Sequence, residues 1–448
     1  MINKILLSII SILILMSSCR KSDIIIDDET LLSDDGSGTG TITWTKDKNY
    51  ILDGFVFVNP GQTLTIEPGT VIRAKTGQGE NASALIVARG GKIIARGTKD
   101  EPIIFTVEGD DLAGSVPLQV RGLWGGIIIL GNAELNTEYN EAKIEGIPIS
   151  ESRGIYGGNK NDDNSGILKY VSIRHGGTNI GDGNEINGLT LGGVGSGTTI
   201  EYVEVISNED DGFEFFGGTV NCKYLVSAFC GDDAFDFDQG YRGKGQFFLA
   251  LQAPSLGDHL AEHDGGTDPI WGEPFCIPEI YNATYIGNGH LNSAELMTFA
   301  DNAGGKYYNS IFLNQLQGVF IEYVTGFNDS YYQFISGNLK IENNIFYSIE
   351  NNNQETIFSI FTKTSEDISE EQTILQNYFS AGENQIIDPQ IEVTATDYDL
   401  IPKGNVTTNL APYPNDWFEP VGYKGAFAPG GDDWLSGWTL LSQSGKIR

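Results

Sequence analysis

The sequence predicts an all-β chain wound as a right-handed parallel β-helix, and three observations carry that expectation. The first is a repeated phrase: TIEYVEVISNEDDGFEFFGGTV is followed directly by NCKYLVSAFCGDDAFDFDQGYR. Tyr202 matches Tyr224, Asp210 and Asp211 match Asp232 and Asp233, and Phe213 and Phe215 match Phe235 and Phe237, each pair 22 residues apart. A fixed period of this length, with strand-like alternation and Gly or Asp turns inside each copy, describes one coil of a solenoid whose turns stack a continuous core. The second is a succession of short β-branched runs closed by Gly, Pro or Asn, including TLTIEPGTVIRA, ALIVARGGKIIARG, PIIFTV and GLWGGIIILG. The third is composition: 57 glycines supply turns, hydrophobic residues at 40% supply a core, and few stretches read as helix. Each coil of a solenoid touches only its neighbours, so 448 residues are expected to form one long domain rather than two or three.

From the N-terminus, residues 1–18 read as a secretory signal: Lys4, an apolar run from Ile5 to Met16, then small residues up to Cys19. The LMSSC ending resembles a bacterial lipobox, which implies cleavage before Cys19, lipid on that cysteine, and a membrane contact through the lipid. Removing Lys4 leaves 26 basic against 60 acidic residues, a net charge near −34. That field excludes nucleic acid and anionic bilayer surfaces as partners and favours cations, neutral sugars or basic proteins. Residues 19–42 are polar, acidic and then Gly/Ser/Thr-rich, as a flexible tether would be. The acidic residues Asp23, Asp27, Asp28 and Glu29 resemble the export signal of Bacteroidetes surface lipoproteins.

The β-helix is expected over 43–387, interrupted by a polar loop from Asn136 to Asn164 that projects from it. Asn282, Asn309 and Asn343 fall at equivalent places in three rung-like phrases, as a structural ladder at one turn would require. Residues 388–448 lose the repeat and gain Pro412, Pro414, Trp417, Trp434 and Trp438, and are expected to cap the last coil. Cys222, Cys230 and Cys276 read as small buried residues, with a bridge to Cys276 left open.

The phrases DDNSGILKYVSIRHGG, the doubled DDGFEFFGG/DDAFDFDQG and YKGAFAPGGDDWLSGWT resemble a family of Bacteroidetes surface lipoproteins with a pectate-lyase-like β-helix, over most of the chain from Thr43 to Thr439. The resemblance implies that fold and an outer-membrane, surface-exposed address. It implies no particular activity.

The stacking has a chemical consequence. Phe213 and Phe215 share one face of a strand and Glu214 takes the other, with Asp236 one coil on. Like charges about 4.8 Å apart repel by roughly 0.9 kcal/mol in water and roughly 3.5 kcal/mol at an effective dielectric of 20. A bridging cation, protonation or splaying must relieve this. Calcium, which takes six to eight hard oxygens in flexible geometry, fits Asp210, Asp211, Asp232, Asp233, Asp236 and Asp238, with Glu262 and Asp264 closing the shell from an insertion above. Two other readings stay open: the aspartates hold turns through their side chains, or Asp210, Asp232 and Asp233 cleave a polysaccharide. With Asn208 these three resemble the spacing in polygalacturonase-type glycosidases. The further motifs of those enzymes are absent, and the arginine a lyase would need has only Arg174 and Arg242 as candidates. A binding role, for a glycan or an outer-membrane protein, is therefore the expectation. HLAEH at 259–263 resembles an inverted zinc-protease motif, yet it sits between Gly- and Pro-rich phrases where a loop is expected instead of a helix. Trp271 and Tyr241 are candidate flat faces for a sugar ring.

Overall fold

The structure, a computed structural model, describes residues 29–447 apart from 182–183, 267–268, 290–293, 327, 366, 395–396 and 415–416. The signal segment, Cys19 and Asp23 to Asp28 lie outside the described residues.

Each coil contributes three short strands, and like strands of successive coils pair in parallel to form three ladders around a filled interior. In the coil of the first repeat, residues 199–201 lie in the first ladder, 203–206 in the second and 213–216 in the third. Registers follow the sequence repeat: Val203 faces Leu225, and Phe213 faces Phe235. The third ladder is a ten-stranded sheet running from Phe55–Val58 to Phe358–Phe361. The first rung begins earlier than the sequence suggests, because Glu29–Leu32 pairs with Asn49–Leu52 inside the stretch expected as tether.

One residue makes the bend between the first and second ladders. Tyr170, Tyr202, Tyr224, Phe247, Asn282, Asn309 and Asn343 all have φ between +50° and +60°, the left-handed region in which a single residue redirects the chain. Asparagine enters that region readily and aromatic residues do not. The aromatic corners offset the conformational cost by stacking, with ring centroids 4.4 Å apart for Tyr170 and Tyr202, 4.3 Å for Tyr202 and Tyr224, and 4.7 Å for Tyr224 and Phe247. Where the ring stack ends, asparagine takes over. The asparagines mark one corner, as expected, but bond mainly to the C-terminal segment: Asn282 to the carbonyl of Tyr423 and Asn309 to that of Ala411.

The interior is a column of apolar side chains, with Phe215, Phe237, His263 and Phe299 stacked in one file. Cys222, Cys230 and Cys276 are buried free thiols.

Two expected positions differ. The segment after Asn136 folds back as a hairpin, 141–143 against 155–157, and buries Leu135, Ile144, Ile147 and Tyr156 against Ile86, Ile128 and Phe216 on the third ladder. Those four apolar side chains hold it down. Residues 388–448 do not cover the last coil. The helix Ser369–Ala381 does, through Leu375 and Phe379 beside Phe346 and Phe358. The C-terminal segment instead runs back along the flank as a strap, because the outer face of the second ladder is apolar (Ile206, Val226, Leu249, Ile286, Ile311) and buries Leu400, Val406, Phe427, Leu435 and Leu441. Trp434 and Trp438 pack edge-on against the tyrosine corners, Trp434 5.3 Å from Tyr224 and Trp438 5.6 Å from Tyr170. Buried Glu204 accepts the N–H groups of Leu440 and Leu441 at 2.7 and 3.0 Å, fixing the strap's end.

Candidate functional site: an acidic corner and face

The turn between the second and third ladders carries the acids. Counting back two residues from the paired positions Leu189, Phe213, Phe235, Ala261 and Met297 gives one axial file: Asn187, Asp211, Asp233, His259 and Glu295. It is held by hydrogen bonds from coil to coil. The N–H of Asp211 donates to Asn187 Oδ1 (3.2 Å), that of Asp233 to Asp211 Oδ1 (2.9 Å), and that of His259 to Asp233 Oδ1 (2.6 Å). One oxygen of each aspartate, Oδ1, therefore does the turn-holding work.

One residue earlier stands a second file, Asp210, Asp232 and Asp258. On the outer face of the third ladder Glu214 pairs with Asp236 and Asp236 with Glu262, while Asp238 follows Phe216 and Asp264 precedes Ala300 in a parallel file. Oxygens of Asp210, Asp211 and Asp232 lie within 4.8 Å of one another, as do those of Asp211, Glu214 and Asp236, and ligand atoms of Asp233, His259 and Glu262. The structure thus brings together Asp210, Asp211, Asp232, Asp233, Asp236 and Glu262; Asp238 and Asp264 form a neighbouring pair outside these clusters.

Several expectations are corrected. Glu262 and Asp264 do not close a shell from an insertion: they belong to the strand Ala261–Asp264, the next rung of the same ladder, pointing outward because Ala261 and His263 face the core. HLAEH is accordingly a third copy of the repeat and not a loop, and His263 bonds inside the core to the carbonyl of Thr298 (3.0 Å) and Tyr307 Oη (2.9 Å), where no metal reaches it. Tyr241 is fully buried and donates to the carbonyl of Val220, so it offers no sugar platform, whereas Trp271 is 64% exposed. Arg174 is buried under the strap, bonded to Ser172 and Gln443, and Arg242 pairs with Glu134 at 2.8 Å. Neither stands free as a base over the acids. Sequence reasoning missed Asp258, Glu295 and the place of His259; the signal was the phrase GDHLAEHDGG, out of phase because four extra residues lengthen that coil.

Burial and crowding push the acids' affinities for protons upward. Asp210 rises to about 7 through burial, then Glu185 and Asp232; Asp238 rises to about 8 and Asp264 to about 7, with burial first and neighbouring carboxylates next. Asp211, Glu214 and Asp236 are driven well above the ordinary range by the same causes, and Asp233 is driven up by burial against the lowering pull of His259. His259 moves the other way from a buried histidine: desolvation disfavours its charge, but Asp233 and Glu295 outweigh that and raise it to about 12. Its Nδ1 is 3.0 Å from Asp233 and its Nε2 3.4 Å from Glu295.

The donors of Asp210, Asp211 and Asp232 are all hard oxygens, and Asp236 Oδ1 is buried without a hydrogen-bond partner among the described residues. An oxygen set of this kind fits calcium better than a softer ion. A cleft of about 370 Å³ has Arg121, Phe229, Leu256, Tyr398 and Lys446 in its lining and none of the acids of these files.

Among the described residues no helix is long and apolar enough to cross a membrane. No curated protein and no solved structure matches the chain. The model of the pectate-lyase-like β-helix domain matches residues 36–385, all of the ladder region after the first strand and with it the acidic corner, and the chain belongs to that family.

Proposed function

We propose that this is a lipid-anchored, surface-exposed β-helix that binds a glycan or another surface component across its third ladder, with calcium held at the acidic corner. The observation that carries the reading is the convergence of Asp210, Asp211 and Asp232 within 4.8 Å. Carboxylates so close either keep protons or share a cation, and a multivalent ion with several oxygen ligands relieves the repulsion along the whole file. Exposed Trp271, on the segment by which the chain leaves the third ladder after Asp264, adds an aromatic face of the kind that sugar rings stack on. The anchor rests on Cys19 and its LMSSC context, and labelling with a palmitate analogue tests it. Titration calorimetry with calcium tests the site: heat and a raised melting temperature in the intact chain, both lost in Asp232→Asn, are the expected result. Absence of both from the intact chain would remove the ion.

Polysaccharide cleavage is the second reading, and it is favoured by one feature. Asp210, with its carboxyl raised to about 7, lies beside Asp232, the pairing of acid and base that glycosidases use. Asp233 suits it less, since both its main hydrogen bonds hold His259. Reducing-end and unsaturated-product assays on acidic polysaccharides separate the two: activity lost in Asp232→Asn establishes the enzyme.

A further inference from the structure

The strap meets both ends of one file of residues on the outer face of the second ladder. Paired positions carry that file from Glu204 through Val226, Leu249 and Ile311 to Ile345, and Gln385, bridged in parallel to Ile345, ends it. Its two ends are polar, and each takes hold of the strap. Glu204 accepts the N–H groups of Leu440 and Leu441, and Gln385 Oε1 accepts a hydrogen bond from Lys424 Nζ at 3.2 Å.

Lys424 is the anomaly. It is fully buried, and its Nζ forms no ion pair with any carboxylate among the described residues. A buried lysine without a counter-charge is unusual, because nothing around it replaces the water that stabilises an ammonium. Burial brings its proton affinity down to about 8 against the pull of Glu383, so about one chain in ten carries the free amine at pH 7 and about half do at pH 8. Main-chain hydrogen bonds hold both partners still. The N–H groups of Lys424 and Gly425 donate to the carbonyls of Val406 and Asn309, each at 2.8 Å, while Gln385 donates to the carbonyl of Asn344 (2.9 Å) and accepts from the N–H of Phe346 (2.8 Å). Amines and amides react slowly in water, where they meet rarely and the amine is protonated. A fixed contact between them in a buried seam removes both obstacles.

We propose that Lys424 and Gln385 become joined by an isopeptide bond, which fastens the strap covalently to the end of the second ladder. The Nζ lone pair attacks Gln385 Cδ, as a desolvated lysine does with other carbonyl carbons, and the Nζ–Cδ bond forms. The Cδ–Nε2 bond breaks with its electron pair on the departing nitrogen, a proton passes to that nitrogen from Nζ, and ammonia leaves. Nothing is oxidised or reduced, and no co-reactant is consumed. The link depends on neither the acidic corner nor the glycan reading.

Tryptic digestion of the full chain followed by mass spectrometry tests this. Once joined to Gln385, Lys424 resists trypsin, so residues 364–403 and 404–446 should appear as one linked species, lighter than their sum by about 17 Da, the mass of one ammonia. Lys424→Arg and Gln385→Leu should each abolish the linked species and restore the full mass. The readout in the unaltered chain stands whether or not those variants fold. Cleavage after Lys424 with no linked species would overturn the proposal. So would the same mass loss with Lys424 cut, which marks ring closure at an asparagine instead, or a linked species that persists in Gln385→Leu.

Discussion

Asp233 Oδ1 accepts the main-chain N–H of His259 at 2.6 Å and lies 3.0 Å from the same residue's Nδ1, so one carboxylate oxygen clamps the next coil twice. The ring's other nitrogen faces Glu295, which places a cation between two acids along the solenoid axis.

His259→Gln should therefore destabilise the chain by about 3 kcal/mol or more, since removing one member of a buried charged set leaves the others uncompensated. Denaturant unfolding monitored by far-ultraviolet circular dichroism reads this directly. A change below about 1 kcal/mol, the level of an exposed ion pair, would show that the imidazolium is not the counter-charge of the file.

The pH dependence has an unusual sign. Asp210 and Asp264 are raised to about 7, Asp238 to about 8 and Glu145 to about 7, burial leading in each case. Unfolded carboxyls titrate near 4, so between pH about 4 and about 8 the folded chain holds more protons, and stability falls as pH rises. His259, raised to about 12, acts in the same direction above the ordinary histidine range, its contribution declining towards alkaline pH. His263, held down at about 3 by burial, opposes this below the ordinary histidine range, because only its unfolded form gains a proton there. It offsets one of four carboxylates. In chelator, the melting temperature should drop from pH 5 to pH 8; a flat or rising profile would contradict the arrangement.

Calcium should erase that slope. Binding favours the deprotonated acids, so the gain in melting temperature from millimolar calcium is expected to be larger at pH 8 than at pH 5. Differential scanning calorimetry at both values checks it, and an equal gain at the two would place the ion elsewhere.

Trp438→Ala should cost about 3 to 5 kcal/mol and loosen the strap. Trp438 is fully buried, packs on Tyr170 and Tyr202, and donates its indole N–H to the carbonyl of Trp434. Limited proteolysis should then cut within 388–448 before it cuts the ladders; uniform cleavage along the chain would speak against a separately held segment.

The ladders were legible in the sequence wherever coils kept one length. Asp210 over Asp232 and Phe213 over Phe235 follow from a 22-residue register that the structure repeats pair by pair. The next coil places Glu262 beside Asp236 at a spacing of 26, and the one after places Met297 beside Ala261 at 36, so a search for a constant interval loses His259 and Glu295. The strap was illegible for a different reason. Its apolar residues, such as Phe427 and Leu435, match a flank assembled from Val226, Leu249 and Ile286, and no local pattern announces a surface that distant coils create. Residues 29–32 were misread because ETLL pairs only on one side, at an edge where four residues suffice.

The tyrosine corners and the flank beside them stay bare until the final residues arrive to lie across them. Coils that close one after another as the chain folds would still present an open greasy seam until residues 388–448 dock. Residues 388–448 thus act as the fastener for coils from Tyr170 to Ile345, and a chain lacking them would be a wound but adhesive product.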